Sequence, residues 1–355
     1  IELAAFIIHV MQTSIYLHPY LIELLIQLDK KSNESKELKV LIPFIVKRLK
    51  FSNWNKSSYC SFFYNLYKKE IVTKEELFDT LDYQIKNIKK INFVLYWFLP
   101  EFVELNKMDL YKEFYVADFI TPYFIQKYYP DKIDMFKKMR DSGEPDDEIT
   151  KSLRIDDVDK VQSILSQNSI DFSKLIVPFN IFDNFNRDNE MTLIDYAAAF
   201  GSIKCFKYLM LNDSKITKST FKYAIYGGNT EIIKITDQNL DQKQNQNQQT
   251  LKSFQTKNRM NIYDISTAIE VHHNDLFDWI LEQKYQSKLA QGDKPDSLLL
   301  CSAKNGNAYA FIEIIDRYSP SIEYQKFIEK ACTKGFLKLA NLIINIMGKE
   351  PPKNK

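Results

Sequence analysis

"NEMTLIDYAAAFGSIKCFKYLML" (189–211) is the stretch whose reading decides the fold. One of only eight glycines in the chain, Gly201, stands there between an alanine run and an apolar run. Glycine weakens a helix interior and is favoured just past a helix end. The stretch therefore reads as a short helix, a sharp stop and a second helix. Recurrence of the same frame elsewhere separates a lone hairpin from one unit of a repeat.

The frame recurs. Ala197 lies four residues before Gly201, and Phe206, Leu209 and Met210 lie five, eight and nine after it. Around Gly306 the same places hold Ser302, Phe311, Ile314 and Ile315; around Gly335 they hold Ala331, Ala340, Ile343 and Ile344. His272 fills the glycine place in another copy, with Ala268, Phe277, Ile280 and Leu281. Asp156 fills it in the first, with Ser152, Val161, Ile164 and Leu165. Gly228 has Ala224 and Ile233 in register, but Thr236 and Asp237 break the far end. Intervals of 45, 27, 44, 34 and 29 residues average near the ~33 residues of a helix-pair repeat. A small residue before the turn lets neighbouring first helices approach closely. The apolar places after it give each second helix a stripe for stacking.

The N-terminal part reads differently. No glycine occurs before Gly143, which argues against dinucleotide- and phosphate-binding loops and against hairpin-rich sheets. Leu77, Leu81, Ile85 and Ile88 fall on one helical face, as do Ile91, Val94, Leu95, Phe98 and Phe102. Leu38, Leu41, Ile42, Ile45 and Leu49 form another stripe, which Pro43 kinks or restarts. Thr73 and Glu76 predict a capping box. The expected fold is all-α: a helical N-terminal domain over 1–142, then about six helix-pair repeats over 146–348. Insertions are expected at 168–190, as an extended finger, and at 237–259, as a flexible Gln/Asn loop; 349–355 reads as a flexible tail.

The repeats resemble ankyrin repeats. Thr192, Leu193, Ile194, Asp195, Tyr196 and Ala197 lie where that consensus reads Thr-Pro-Leu-His-x-Ala. Thr192, Ala197, Ala198 and Gly201 match it closely; the proline and histidine are absent, and Glu190 stands at the usual turn glycine. "AIEVHHNDLFDWILEQKY" (268–285) resembles a further copy. With "SFFYNLYKKEIVTKEELFDTL" (61–81), it also resembles a large protist group of divergent ankyrin proteins with glycine-poor helical N-terminal domains. That second resemblance covers nearly the whole chain and implies no biochemical activity.

Composition narrows the function classes. Residues 1–140 carry 21 Lys/Arg against 17 Asp/Glu, and the whole chain has a formal net charge of +2, so no strongly basic surface points to nucleic acid or an anionic membrane. "IELAAFIIHV" (1–10) reads as a buried helix rather than a signal or anchor, in a chain expected to lack its natural start. Cys60, Cys205, Cys301 and Cys332 have no metal-ligand spacing and read as buried reduced thiols, implying a cytoplasmic protein. His9 and His18 fall in the first helices, and His18 precedes Pro19 at an expected helix start. His272 and His273 read as a structural turn pair without a third ligand in sequence. Asp156-Asp157 is expected to cap a second helix, and Gly227-Gly228-Asn229 to form a repeat turn. No catalytic, cofactor or metal motif is present.

The expected function is thus non-catalytic binding of one or more proteins through a concave face. A permanent subunit of a cytoskeletal or ciliary assembly is the alternative, and an effector enzyme hidden in the N-terminal helices the weaker one. In the ankyrin-like geometry that the resemblance implies, the two residues before each turn face the concavity. That nominates Ala199 and Phe200, Tyr226 with Gly227, Glu270 and Val271, Lys304 and Asn305, and Thr333 and Lys334. Phe200 and Tyr226 are the expected anchors, with packing against the insertions as the competing role.

Overall fold

The computed structural model describes residues 2–13, 17–31, 36–52, 54, 57–87, 94, 97–104, 131–145, 147–166, 176–177, 183, 191–248, 262–282, 295–318 and 323–349. These residues are helical apart from turns, caps and one isolated bridge between Ile176 and Thr192. Two compact units divide the chain. Leu3–Asp146 and Phe179–Asp188 belong to one, Asp147–Pro178 and Asn189–Lys355 to the other. Among the described residues, no helix is long and apolar enough to cross a membrane.

The first unit holds α1 (Glu2–Thr13), α2 (His18–Lys30), α3 (Lys36–Lys39), α4 (Leu41–Lys50), α5 (Ser57–Lys68), α6 (Lys74–Asn87), α7 (Leu99–Glu104) and α8 (Ile133–Ser142). Its centre is α5, where Phe62, Phe63 and Leu66 are fully enclosed beside Trp54, Phe98 and Phe102. The predicted stripes supply the walls: Leu41, Ile45 and Leu49 are buried on α4, Leu77 and Leu81 on α6. Pro43 sits in the first turn of α4, after a break at Val40, where its missing N–H costs no helix bond. The capping box forms as expected, the Thr73 amide reaching Glu76 Oε2 at 2.9 Å and the Glu76 amide reaching Thr73 Oγ1 at 3.2 Å. The side chains of Ile85, Ile88, Ile91 and Leu95 lie outside the described residues. Asp183, within the expected insertion, is buried and its carbonyl accepts the Ser57 hydroxyl at 2.9 Å.

The second unit is built from helix pairs: α9 (Glu148–Arg154) with α10 (Val158–Ser166), α11 (Leu193–Ala199) with α12 (Ile203–Leu211), α13 (Lys218–Gly227) with α14 (Thr230–Gln248), α15 (Ile262–Glu270) with α16 (Asn274–Ile280), α17 (Asp296–Asn305) with α18 (Ala308–Tyr318), and α19 (Gln325–Lys334) with α20 (Leu337–Lys349). Every turn position read from the sequence is left-handed. Gly201, Gly228, Gly306 and Gly335 have φ of 68°, 67°, 72° and 88°, and the non-glycine occupants Asp156 and His272 both have 57°. The first helices pack in succession, α9 on α11, α11 on α13, α13 on α15, α15 on α17 and α17 on α19. Their small residues Ser152, Ala197, Ala224, Ala268, Ser302 and Ala331 are all buried. Thr236 is fully buried in an apolar place; its hydroxyl donates to the Ile232 and Ile233 carbonyls at 2.8 Å, so it occupies the core without an unpaired polar atom.

Two expectations are corrected. Residues 237–248 are not a loop: they continue α14 from its Asn229 cap, whose Oδ1 accepts the Glu231 and Ile232 amides. Glutamine is a fair helix former, and neither glycine nor proline interrupts the run; residues 249–259 lie outside the described ones. Nor are all four cysteines buried. Cys60 and Cys205 are, Cys301 is partly so, and Cys332 is exposed, one residue beyond the buried Ala331 and therefore off the packed face of α19. Within the expected finger at 168–190, Val177 pairs with Met191 through a 2.7 Å backbone bond beside the turn into α11, and most other residues lie outside the described ones.

Candidate protein-binding face

The residues preceding each left-handed turn lie at the C-terminal ends of α9, α11, α13, α15, α17 and α19. Because these helices pack in succession, their ends form one row, and close contacts join neighbouring ends. A Cβ on Gly227 would stand 2.1 Å from the Ala198 carbonyl oxygen, so the ends of α11 and α13 meet backbone to backbone. His272 Nε2 lies 3.0 Å from the Asn305 carbonyl, which joins the pair at α15 to that at α17. The space that a Cβ on Gly306 would take is filled by the Phe336 ring.

Phe200, one of the expected anchors, is half-buried. Its ring lies 4.6 Å from that of Tyr196, and the Arg154 guanidinium stands 5.1 Å from its centroid. Arg154 Nε also donates to the Tyr196 hydroxyl at 2.8 Å, so a cation and two aromatic rings lock into one cluster across the first two pairs. Tyr226, the other anchor, is also half-buried and hydrogen-bonds the Glu270 side chain on the next pair; burial first, then that carboxylate's charge, pushes its phenol up. Val271 is half-buried, Lys304 and Thr333 are exposed and Lys334 is half-buried. The Thr333 hydroxyl donates to its own helix, at the Lys330 carbonyl.

Two nominated residues present no side chain to a partner. Ala199 is 6% exposed, enclosed by the close approach at Gly227, and Asn305 is 8% exposed, its amide donating to the Cys301 carbonyl at 3.0 Å. Gly227 itself belongs to that close approach rather than to an open surface. Conversely, Arg154 and Ile155 escaped nomination although they precede the turn at Asp156. The rule used for the other copies would have found them, and Ile155 is 75% exposed.

The row is aromatic and apolar at one end, through Ile155 and Phe200, and polar at the other, through Lys304, Thr333 and Lys334. Among the described residues, no group of three His, Cys, Asp or Glu side chains is placed to hold a metal ion. Comparison with known protein families, with curated proteins and with solved structures finds no match to this chain.

Proposed function

We propose that residues 147–349 form a divergent ankyrin-repeat solenoid that binds protein without catalysis, through the row of residues preceding its turns. The left-handed backbone at all six frame positions and the successive packing of the first helices support the solenoid reading. The observation that carries the binding role is the interlocked row. Arg154 on Phe200 and Tyr226 on Glu270 hold aromatic side chains half-exposed and rigid, which is the character of interface anchors. A permanent subunit of a cytoskeletal or ciliary assembly is the second reading, favoured by Ile155 and Leu211, which are 75% and 78% exposed.

Affinity purification of the tagged protein from its native cells, washed at low and at high salt, tests both. Substoichiometric partners lost at high salt, and lost also with Phe200→Ala or Tyr226→Ala, fit an adaptor. One assembly with fixed stoichiometry at both salts fits a permanent subunit. Recovery of no protein partner overturns both readings.

A further inference from the structure

The helix pairs of the second unit repeat one buried face, and the last pair leaves it bare. Three residues before the turn stand Leu153, Ala198, Ile225, Ile269 and Ala303 in the first five pairs, each 0% exposed. The following pair docks there: the Ser202 hydroxyl donates to the Leu153 carbonyl, and Asn307 Nδ2 donates to the Ile269 carbonyl at 3.2 Å. Seven residues before the turn, Ile194, Phe221, Ile265 and Leu299 of the second to fifth pairs are buried likewise. In the sixth pair the same two places hold Cys332, which is exposed, and Ile328, which is half-buried.

The second helices follow the same pattern. Nine residues past the turn, Leu165 and Leu281 are buried and Met210 and Ile315 half-buried, whereas Ile344 of the sixth pair is 43% exposed. Leu337 and Met347 share that side of α20, at 37% and 46% exposure. The first pair ends the stack differently. Every exposed residue within α9 and α10 is polar, the character that keeps a terminal repeat soluble. The last pair is apolar where a terminal repeat is expected to be polar.

We propose that this face is covered by the same face of a second copy of the chain, in a two-fold dimer. Stacking there continues the joint by which each pair already packs on the next. The charge of the face suits a copy of itself. Gln325, Asn341 and Asn345 stand among the apolar residues, with Glu329 and Lys338 at the margins, one charge of each sign. A strongly charged partner finds no counterpart in such a face, whereas two identical faces meet without net repulsion. The polar first pair leaves no bare end for head-to-tail stacking, so association closes at two. Neither Phe200 nor Tyr226 takes part, and the dimer stands whether or not the row before the turns binds protein.

Sedimentation velocity of the full chain from about 1 to 100 μM should show monomer giving way to dimer, with no larger species. Ile344→Lys and Leu337→Asp change exposed side chains, and circular dichroism checks that each variant keeps its helices. Each should weaken association about ten-fold, the scale of an interface anchor, while Phe200→Ala should leave it unchanged. Alkylation of Cys332 by iodoacetamide, read by mass spectrometry of the native chain, should slow in the dimer. A monomer at every concentration, a dimer indifferent to both substitutions, a mass that keeps growing with concentration, or equal alkylation of Cys332 in monomer and dimer would each overturn the proposal.

Discussion

Thr220 donates its hydroxyl to the Asp195 carboxylate at 2.6 Å, tying an acid on α11 to the helix pair that follows. The same carboxylate accepts the Thr192 amide at 3.3 Å, closing a capping box at the start of α11. Asp195 stands where the ankyrin-like pattern has histidine. It is 4% exposed, and burial pushes its carboxyl up while the threonine hydrogen bonds pull it back. One side chain thus serves both its own helix and the joint to the next pair.

Thr220→Val should cost about 2 kcal/mol, because it removes a donor from a buried carboxylate; Thr220→Ser should be close to neutral. A raised carboxyl binds its proton more readily in the folded state, so this group's contribution is greatest in acid and is lost as pH rises through the folded value. Removing the Thr220 bond raises Asp195 further. The penalty of Thr220→Val, read from urea midpoints, should therefore grow between about pH 4 and pH 7. A penalty that is constant with pH would show that Asp195 is not the group affected.

The turn positions were legible because backbone handedness leaves a local mark. Glycine past an alanine helix, followed by an apolar stripe at fixed distances, states the conformation without reference to any partner. It identified even Asp156 and His272, where no glycine stands. What joins one pair to the next was not legible. The Asp156 carboxylate accepts the Cys205 amide at 2.9 Å and the Lys204 amide at 3.2 Å, at the start of a helix in the following pair. In sequence, beyond its place at the turn, Asp156 read only as a cap for its own helix, a role that Asp157 fills through the Lys160 amide at 3.0 Å. The burial of Ala199 and Asn305 was hidden for the same reason. Each depends on how closely a neighbouring pair approaches, which spacing within one copy does not state.

Gly227 and Gly348 make a matched contrast. Gly227→Ala would place a Cβ 2.1 Å from the Ala198 carbonyl oxygen and 3.0 Å from the Gly201 nitrogen, both backbone atoms that cannot swing away. The joint between α11 and α13 must open, and a loss of about 3 kcal/mol or more is expected, in the range of severe overpacking. Gly348 lies within α20 with nothing inside 4 Å of its added Cβ. Gly348→Ala should stabilise by up to ~0.5 kcal/mol, since alanine is the better helix former. Thermal or urea unfolding of the two variants should therefore shift in opposite directions.

His18 makes the first unit sensitive to acid. Its Nε2 lies 2.8 Å from the Met11 carbonyl, which can only accept, so Nε2 carries the proton and Nδ1 accepts from Ser61 Oγ at 3.2 Å. Burial lowers its pKa from 6.5 to about 4, against the opposing pull of the Met11 bond. Above about pH 6.5 both states are neutral here, and nothing is lost. As pH falls from there towards about 4, the unfolded chain takes up a proton that the folded one refuses. The loss should reach roughly 3 kcal/mol. Chemical denaturation across that window should show the slope in the native chain and a flatter one in His18→Gln.

The buried ion pair of the first unit makes the last prediction. Arg140 Nη1 and Nη2 each donate to Glu101 at 2.7 Å, Nη1 also reaches the Trp97 carbonyl, and the guanidinium lies 3.8 Å above the Tyr64 ring. Both partners are enclosed, Arg140 at 5% and Glu101 at 8% exposure. Desolvation of two such ions nearly offsets their attraction, so the pair contributes little net stability, yet either ion alone is costly. Arg140→Met should therefore destabilise by about 3–5 kcal/mol, leaving Glu101 without its cation. Adding Glu101→Met should restore most of that loss, short of about 1 kcal/mol for the lost Arg140 bond to the Trp97 carbonyl. Urea midpoints of the native chain, both single variants and the double variant close the cycle. A double variant no more stable than Arg140→Met would mean that packing on Tyr64, and not the stranded charge, sets the cost.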